Sequence, residues 1–252
     1  MSAVIVIPAR YDSTRFPGKP LAPLRGMPVI RHVYENSKLA TSADDVIVAT
    51  DSETIFETVL AFGGKAVMTS GEHTSGTDRV AEVARTLSCD IIVNVQGDEP
   101  LIRPGMIDDA VGLLSDKGAD IGTLAKKVGQ SEEVLDPNVV KVVFDSRGFA
   151  LYFSRAPIPY HRDEWGGLDN FKVQSSKSEV FKHIGIYSYR REALLRLTGM
   201  EPSRLEQIER LEQLRALENG FRIKVGETSL ETVGIDTPQD LERVEKWLSI
   251  SS

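Results

Sequence analysis

The residues with the clearest capacity for chemistry lie in the first twenty positions, directly after the apolar run that opens the chain. Three cations follow that run, Arg10, Arg15 and Lys19, and Ser13 and Thr14 add hydroxyl groups between them. A fully apolar run predicts a strand buried on both faces, and open α/β sheets bind ligands where such strands end. Guanidinium groups hold phosphate oxygens in pairs, and an ammonium adds a point charge. The loop therefore predicts a polyphosphate site, the alternative being solvated loop charges.

Two common nucleotide-binding motifs are absent from the sequence. The chain has no Gly-x-x-x-x-Gly-Lys-Ser/Thr segment, which argues against a P-loop ATPase. No Gly-x-Gly-x-x-Gly follows the first predicted strand, which argues against a Rossmann dehydrogenase. The cationic loop must therefore hold its anion in another way.

Two aspartates are candidates for binding a divalent cation beside this loop. Asp98 lies in the segment NVQGDEP, at the end of an apolar run, and Asp236 directly precedes a predicted helix. Mg²⁺ usually takes one or two carboxylates together with phosphate oxygens. The alternatives are that Asp98 is an ordinary turn residue and that Asp236 only supports the helix cap formed by Thr237.

The segment 73–79, HTSGTDR, is a third candidate because it is a small polar turn that opens a helix. Free N–H groups and hydroxyls at a helix start can bind the edge of a base or the hydroxyls of a sugar. The alternative is that Ser75 simply caps the helix.

Alternating strand and helix patterns must position these residues. Strands are predicted at 4–7, 46–49, 66–68 and 91–95, and helices at 28–40, 53–62, 77–87 and 106–114. This alternation predicts an α/β fold with a mostly parallel sheet, right-handed crossovers and flanking helices. Residues 1–252 are interpreted as a single domain.

The pattern changes after Asp120. The runs 139–144 and 149–153 predict a β-hairpin, and 157–182 predicts a long loop that is either an interface arm or a lid. We expect these elements to form an embedded lobe at about 139–189. The chain then predicts a strand at 183–189, a helix at 205–218, a strand at 222–225 and a last helix opened by Thr237 and Pro238.

Composition limits the possible partners. A formal net charge of −7 argues against a nucleic-acid-binding protein, whose surface would be basic. Cys89 is the only cysteine, which excludes a disulfide framework and a thiolate metal site. The sequence shows no signal-peptide layout and no apolar run of spanning length. We therefore expect a cytoplasmic protein that contacts neither nucleic acid nor membrane.

Seven segments together resemble the 3-deoxy-manno-octulosonate (Kdo) cytidylyltransferase family, also called CMP-Kdo synthetases. In chain order they are VIPARYDSTRFPGKPL, HTSGTDR, NVQGDEPLI, ALYFSRAPIP, HIGIYSYR, LEQLRALENG and GIDTPQDLE. Their order and spacing match across essentially the whole chain. Sialic acid cytidylyltransferases share the Pro-Ala-Arg opening but usually continue with Gly-Gly-Ser-Lys. The Tyr-Asp-Ser-Thr at 11–14 favours the Kdo branch.

The resemblance implies an enzyme that transfers CMP from CTP to the anomeric hydroxyl of Kdo, releasing pyrophosphate, in lipopolysaccharide biosynthesis. It implies Mg²⁺ as cofactor and a Rossmann-like, nucleotide-diphospho-sugar transferase type of fold, with a small β-rich lobe that forms a homodimer. Carried over by matching position, the catalytic residues would be Lys19, Asp98 and Asp236, of which the two aspartates would hold Mg²⁺. The nucleotide-binding residues would be Ala9, Arg10, Arg15, Lys19, Ser75, Gly76, Arg79 and Gln96. The sugar-binding residues would be Arg155, His183, Glu212 and Gln213.

Several alternatives remain open at the level of sequence. His183 could equally be a core histidine, and Glu212 could lie on a solvated helix face. The substrate could be 8-amino-Kdo or another sugar acid. The chain could also be a nucleotide-sensing protein that has kept the fold without the catalysis.

Overall fold

Strands and helices alternate through the first half of the computed structural model, which describes residues 1–12, 15–162, 165 and 179–250. The strands are β1 (Ala3–Ala9), β2 (Pro23–Leu24), β3 (Met27–Pro28), β4 (Asp45–Thr50), β5 (Ala66–Met68), β6 (Ile91–Asn94), β7 (Ile121–Lys127), β8 (Lys141–Phe144), β9 (Ala150–Ser154), β10 (Phe181–Arg190) and β11 (Ile223–Glu227). The helices are α1 (Val29–Ser37), α2 (Glu53–Ala61), α3 (Gly76–Thr86), α4 (Pro104–Gly112), α5 (Ser131–Leu135), α6 (Arg191–Leu197), α7 (Arg204–Glu209), α8 (Gln213–Glu218) and α9 (Pro238–Ile250). Short 3₁₀ turns cover Lys19–Leu21 and Leu113–Ser115.

One nine-stranded sheet forms the centre of the fold, and its main path runs β11-β7-β10-β6-β1-β4-β5. β1 pairs in parallel with β4 and β6, β4 with β5, and β7 with β11. β10 alone on this path runs antiparallel to its neighbours, β6 and β7. The prediction of an α/β fold with a mostly parallel sheet is therefore confirmed. The carboxyl ends of β1, β4, β5 and β6 meet at one edge.

The sheet is apolar on both faces because helices cover both of them. Ile5 and Ile7 of β1 belong to the core cluster on one face, beneath α1, α2 and α4. Val4 and Val6 belong to the cluster on the other face, beneath α3, α6 and α8. Successive side chains of a strand point to opposite faces, so a strand covered on both sides is apolar throughout. This explains the apolar run that precedes the cationic loop.

The second half of the chain contains the predicted hairpin and a long strand that joins the main sheet. The hairpin of β8 and β9 is present, and β8 pairs with the first two residues of β10, Phe181 and Lys182. The rest of β10 lies between β6 and β7 in the main sheet, and the embedded lobe at about 139–189 stays a prediction. Residues 163, 164 and 166–178 lie outside the described residues, so a lid or an interface arm at 157–182 stays a prediction.

The predicted helix at 205–218 is two helices, α7 and α8. Arg210 stands between them with φ of 55°, in the left-handed region that ends a helix. Arg155 donates hydrogen bonds to the carbonyls of Glu209 and Arg210, at 2.7 and 3.3 Å. A tertiary contact therefore supports the break, and Ile208 in α7 is 65% exposed.

No helix in the described part of the chain is both long and apolar enough to cross a membrane.

Candidate nucleotide-binding site

The loop after β1 folds back on itself and presents its lysine to the edge of the sheet. The N–H of Gly18 donates to the carbonyl of Tyr11 at 2.9 Å, which closes the loop. Gly18 has φ of 70°, a conformation that glycine adopts without steric cost, and it begins the 3₁₀ turn that carries Lys19. The Lys19 side chain is 12% exposed. Ser13 and Thr14 of this loop lie outside the described residues.

The turn after β6 brings Asp98 to the same edge. A Cβ on Gly97 would lie 2.7 Å from the carbonyl oxygen of Pro8, so only glycine lets this turn pack directly on β1. The main chain of the same turn also positions the distant aspartate. The N–H of Ile235 donates to the carbonyl of Asp98 at 2.9 Å, immediately before Asp236.

Both aspartates converge on one nitrogen atom. Lys19 Nζ lies 2.6 Å from Asp98 Oδ2 and 3.3 Å from Asp236 Oδ1. Arg15 contacts Asp236 Oδ1 as well, at 3.1 Å, and its side chain is 65% exposed. Two carboxylates that face one point suit an oxygen-ligated cation such as Mg²⁺. Within the described ranges no group of three or more His, Cys, Asp or Glu residues could hold a metal, so phosphate oxygens would have to supply further ligands.

The start of α3 forms the opposite side of the site. Ser75 Oγ accepts a hydrogen bond from the Asp78 N–H at 3.1 Å, so Ser75 does cap the helix, as the alternative interpretation held. It also lines the cleft, so the two interpretations do not exclude each other. The Arg79 guanidinium, 4% exposed, pairs with Asp51 at 2.6 Å and with Thr69 Oγ1. Arg79 therefore holds the preceding loop against the sheet.

His73 also fixes this loop. Its Nε2 forms a hydrogen bond with the carboxylate of Glu82, which accepts another from the N–H of Ser70 at 3.0 Å. These hydrogen bonds hold the pKa of Glu82 below its ordinary value, although burial opposes them. The loop that carries Ser75 is thus attached to α3 by an ionised carboxylate.

The structure brings all of the predicted nucleotide-binding residues into one cleft of about 300 Å³. Its lining includes Ala9, Arg10, Arg15, Lys19, Ser75, Gly76, Arg79 and Gln96, together with Asp98 and Asp236. Sequence reasoning did not single out Pro8, Pro20, His73, Thr74 and Gly97, which also line it. These five residues lie within or next to the motifs named above, so their position in the motif could have indicated that they line the cleft.

Glu212 and Gln213 line a second, smaller cavity of about 100 Å³. Gln96 lines both cavities, so it marks where they adjoin. Burial raises the pKa of Glu212 above its ordinary value, while a hydrogen bond with Thr77 opposes the shift. Glu212 is therefore partly buried beside the nucleotide cleft, and not on a solvated helix face.

Arg155 and His183 do not line this second cavity. The Arg155 guanidinium donates to the carbonyls of Pro137, Glu209 and Arg210. His183 Nε2 lies 2.9 Å from Thr123 Oγ1, and burial lowers the pKa of His183 to about 3, which makes the imidazole neutral at pH 7. The predicted contact of both residues with the sugar acid stays a prediction.

The chain is similar to proteins named as cytidylyltransferases over nearly its whole length. A family model described as Cytidylyltransferase matches residues 4–225. The 3-deoxy-manno-octulosonate cytidylyltransferase of Geotalea daltonii is 55% identical over 245 residues, which cover 97% of each chain. The protein of the same name from Geobacter metallireducens is 53% identical over 250 residues, covering 99% of this chain and 98% of that one.

A solved structure is also similar over the full length of the chain. It is of a CMP:2-keto-3-deoxy-manno-octonic acid synthetase complexed with CTP, and it is 42% identical in sequence. The two structures superpose with a TM-score of 0.90 over 100% of each chain. The similarity found in the seven sequence motifs is therefore confirmed in the fold.

Proposed function

The chain belongs to the 3-deoxy-manno-octulosonate cytidylyltransferases of the Cytidylyltransferase family, and from this premise we propose that it transfers CMP from CTP to the anomeric hydroxyl of Kdo. The products are CMP-Kdo and pyrophosphate. The observation that carries this proposal is the convergence of Asp98 and Asp236 on Lys19 Nζ, in a cleft that Arg15 borders. A protein that only sensed nucleotides would not need both acids at that point.

The cleft supplies separate surfaces for the phosphates and for the nucleoside. Arg10, Arg15 and Lys19 hold the triphosphate, since guanidinium and ammonium groups bind phosphate oxygens strongly. The exposed Arg15 side chain is free to follow the ligand at the cost of a weak, solvated ion pair with Asp236. The nucleoside lies against the start of α3. Its neighbours are Ala9, Ser75, Gly76, Arg79 and Gln96.

Asp98 and Asp236 are the residues that would hold Mg²⁺, because both carboxylates face one point at the mouth of the phosphate site. The bound ion would polarise the α-phosphate and ease deprotonation of the attacking hydroxyl. Lys19 lies at the same point, so it adds positive charge next to the reacting phosphate.

The reaction is an in-line displacement at the α-phosphorus. The anomeric oxygen forms a bond to phosphorus, the bond to the bridging oxygen breaks, and pyrophosphate leaves while the hydroxyl proton passes to solvent. Positioning and charge neutralisation supply most of the acceleration in phosphoryl transfer. Arg10, Arg15 and Lys19 neutralise the charge that grows on the leaving pyrophosphate.

The assembly and location are part of the same proposal. A homodimer would form through the hairpin, since β9 exposes Leu151 (63%) and, among the described strands, pairs along its length with β8 only. An unpaired strand edge with an exposed leucine is a ready pairing surface. The protein would act in the cytoplasm, where CTP is available. A Leu151→Arg variant that stays dimeric in light scattering would contradict this interface.

One assay separates the proposed reaction from its alternatives. The protein is mixed with CTP and Mg²⁺ and with either Kdo or 8-amino-Kdo, and pyrophosphate and the CMP-sugar are measured. Turnover with Kdo supports the proposal, and turnover with the amino sugar alone supports the alternative substrate. CTP binding without pyrophosphate release from any sugar acid would indicate a nucleotide sensor. UTP in place of CTP is the matched control for the nucleotide.

A further inference from the structure

Asn94 carries a buried donor that has no partner among the described residues. The residue is 1% exposed and stands at the end of β6, and its Oδ1 accepts a hydrogen bond from Gln96 Nε2 at 3.3 Å. Its Nδ2 makes no hydrogen bond within the described part of the chain. A buried donor left unpaired costs about 1–3 kcal/mol, and folded proteins rarely leave one so. The amide therefore indicates an atom that arrives with a ligand.

The cavity that Asn94 lines carries several hydrogen-bonding side chains beside the apolar Ile121, Leu197 and Ala216. Tyr187 and Tyr189 face it, and burial raises the pKa of both, so their phenols remain protonated. Gln213 adds an amide, and Glu212 adds a carboxylate that accepts hydrogen bonds.

None of the described residues that line this cavity carries a positive charge. A ligand carboxylate placed here would face the Glu212 carboxylate, and Arg215, the cation that acts on Glu212, is already paired with Glu206. Such a like-charge contact is costly in a buried site. The cavity therefore suits a neutral group that carries several hydroxyls.

The size of the cavity limits how much of the substrate it takes. Its volume is about 100 Å³. A water molecule in the liquid occupies about 30 Å³, so the cavity accommodates only a few groups of that size. A short hydroxylated chain fits, and a complete eight-carbon sugar acid does not. The remainder of the substrate must lie on the other side of Gln96, in the nucleotide cleft.

We propose that Asn94 is a substrate-binding residue, whose amide donates a hydrogen bond to a hydroxyl oxygen in the neutral chain of the sugar acid. The carboxylate end of the sugar then lies toward the nucleotide cleft, away from Glu212. This orientation makes no use of Arg155 and His183, the two residues of the predicted sugar-binding set that do not line the cavity. The inference rests on the proposed function, because it assigns a binding residue to one end of the sugar acid that accepts CMP in that reaction.

The test pairs one substitution with one change in the ligand. Asn94→Leu keeps the branching of the side chain and removes its hydrogen-bonding amide, and a six-carbon 3-deoxy-2-ulosonic acid lacks the far end of the Kdo chain. Dissociation constants of both acids are measured by calorimetry, with Mg²⁺ and a CTP analogue whose α–β bridging oxygen is a methylene. We expect Asn94→Leu to weaken Kdo binding about tenfold, the effect of one lost hydrogen bond. The affinity for the shorter acid should change less than twofold.

Equal weakening of both acids, or unchanged Kdo affinity, would overturn the assignment. The two acids differ only in the length of their hydroxylated carbon chain. The difference between their losses of affinity in Asn94→Leu therefore measures the interaction of Asn94 with the far end of that chain. If the leucine variant does not fold, Asn94→Ala in the same experiment takes its place. An unchanged affinity for the CTP analogue would show that the cleft itself is intact.

Ser37→Ala is the matched control for removing a buried, unpaired polar group. Ser37 is fully buried in α1, and its hydroxyl also lacks a partner among the described residues, but it lines neither cavity. Its substitution should leave both affinities unchanged. If wild-type protein turns over Kdo and both acids weaken equally in Asn94→Leu, only this inference fails. If wild-type protein binds no sugar acid, the proposed function fails with it.

Discussion

Replacing Asp98 by asparagine separates catalysis from folding at the centre of the proposed site. The change keeps the shape of the side chain and removes one negative charge, and the amide oxygen still accepts a hydrogen bond from Lys19 Nζ, 2.6 Å away. Asp236 contacts the same nitrogen at 3.3 Å, so Lys19 keeps a carboxylate partner. We therefore expect the Asp98→Asn variant to fold normally.

The two expected magnitudes differ enough to be distinguished. Weakening a partly exposed ion pair costs about 1 kcal/mol of unfolding free energy, which lowers the melting temperature of a chain of this size by about 2–4 °C. Removing one electrostatic group directed at the charge of a transition state costs about 2.7–4 kcal/mol, or about 10²–10³ in kcat. A residue that binds the catalytic cation should cost at least that much.

The assay is pyrophosphate release at saturating CTP, Kdo and Mg²⁺, combined with thermal unfolding followed by circular dichroism. Asp108→Asn is the matched control, because Asp108 lies outside the cleft and accepts hydrogen bonds from the N–H groups of Thr41 and Ser42, at 2.9 and 2.8 Å. That control should lower the melting temperature and leave kcat unchanged. The contrast between the two variants excludes a general effect of losing an aspartate.

A specific result would refute this reasoning. If the Asp98→Asn variant keeps a tenth of the wild-type kcat while the control behaves as expected, Asp98 does not act on the reacting phosphate. Full recovery at tenfold higher Mg²⁺ would also contradict the expected loss in kcat, since it would confine Asp98 to capturing the ion.

Three further predictions concern single side chains. Arg15→Ala should raise the KM for CTP about tenfold, by the loss of one charge-assisted contact, and should leave the melting temperature unchanged; unaltered CTP affinity in calorimetry would count against the phosphate role. Glu206 and Arg215 form a nearly buried ion pair. Burial raises the pKa of Glu206, but hydrogen bonds from Arg215 and from the Ser203 N–H outweigh it and hold this pKa below its ordinary value of 4.5. The unfolding free energy of the wild-type protein should therefore decrease as the pH falls below about 5. In urea unfolding, Glu206→Gln should be about 3 kcal/mol less stable at pH 7 and should depend less on acid pH. Parallel pH curves for the two proteins would exclude a stabilising role for the ionised Glu206. Folding lowers the pKa of His183 from 6.5 to about 3, so between these pH values only the unfolded chain binds the extra proton. The unfolding free energy should therefore fall as the pH drops from about 6.5. His183→Gln should make that slope shallower by up to about 1.4 kcal/mol per pH unit, and an identical slope would contradict burial of a neutral ring.

The first half of the fold was predictable because its signals are local. The apolar runs at β1, β4 and β6 have no polar interruption, and a parallel sheet covered on both faces requires such runs. α2 begins after Ser52, whose side chain accepts from the Ile55 N–H, and the predicted start at residue 53 agrees with it. Strand composition and a helix cap are both readable without knowing the tertiary structure.

The second half was less predictable because its placement depends on distant contacts. β7 ends in Lys126 and Lys127, a polar pattern that does not indicate a central strand, and Lys126 pairs with Glu231 far along the chain. β10 reads as a strand, but nothing in its own residues shows that it inserts between β6 and β7. The break at Arg210 likewise depends on Arg155, which comes from another element.

The site shows the same division between local and distant information. The predicted nucleotide-binding residues follow strand ends, so the rule that ligands bind at the carboxyl edge of a parallel sheet was enough to group them. The surroundings of Arg155 and His183 depend on packing, and the resemblance alone could not supply them. Asn94 had a local signal, because a polar amide ends an otherwise apolar strand at that edge.

The charges in the cleft explain why three separate elements must contribute to it. Lys19 contacts both aspartates, so the site is internally neutralised before any ligand arrives. A triphosphate brings further negative charge to that site, which two cations already paired with acids would balance only in part. A divalent cation held by the same aspartates, as proposed, would restore the balance and leave Lys19 and Arg15 for the phosphates. The loop after β1 therefore needs the turn after β6 and the segment before α9, because neither the cations nor the acids alone would bind the nucleotide with its metal.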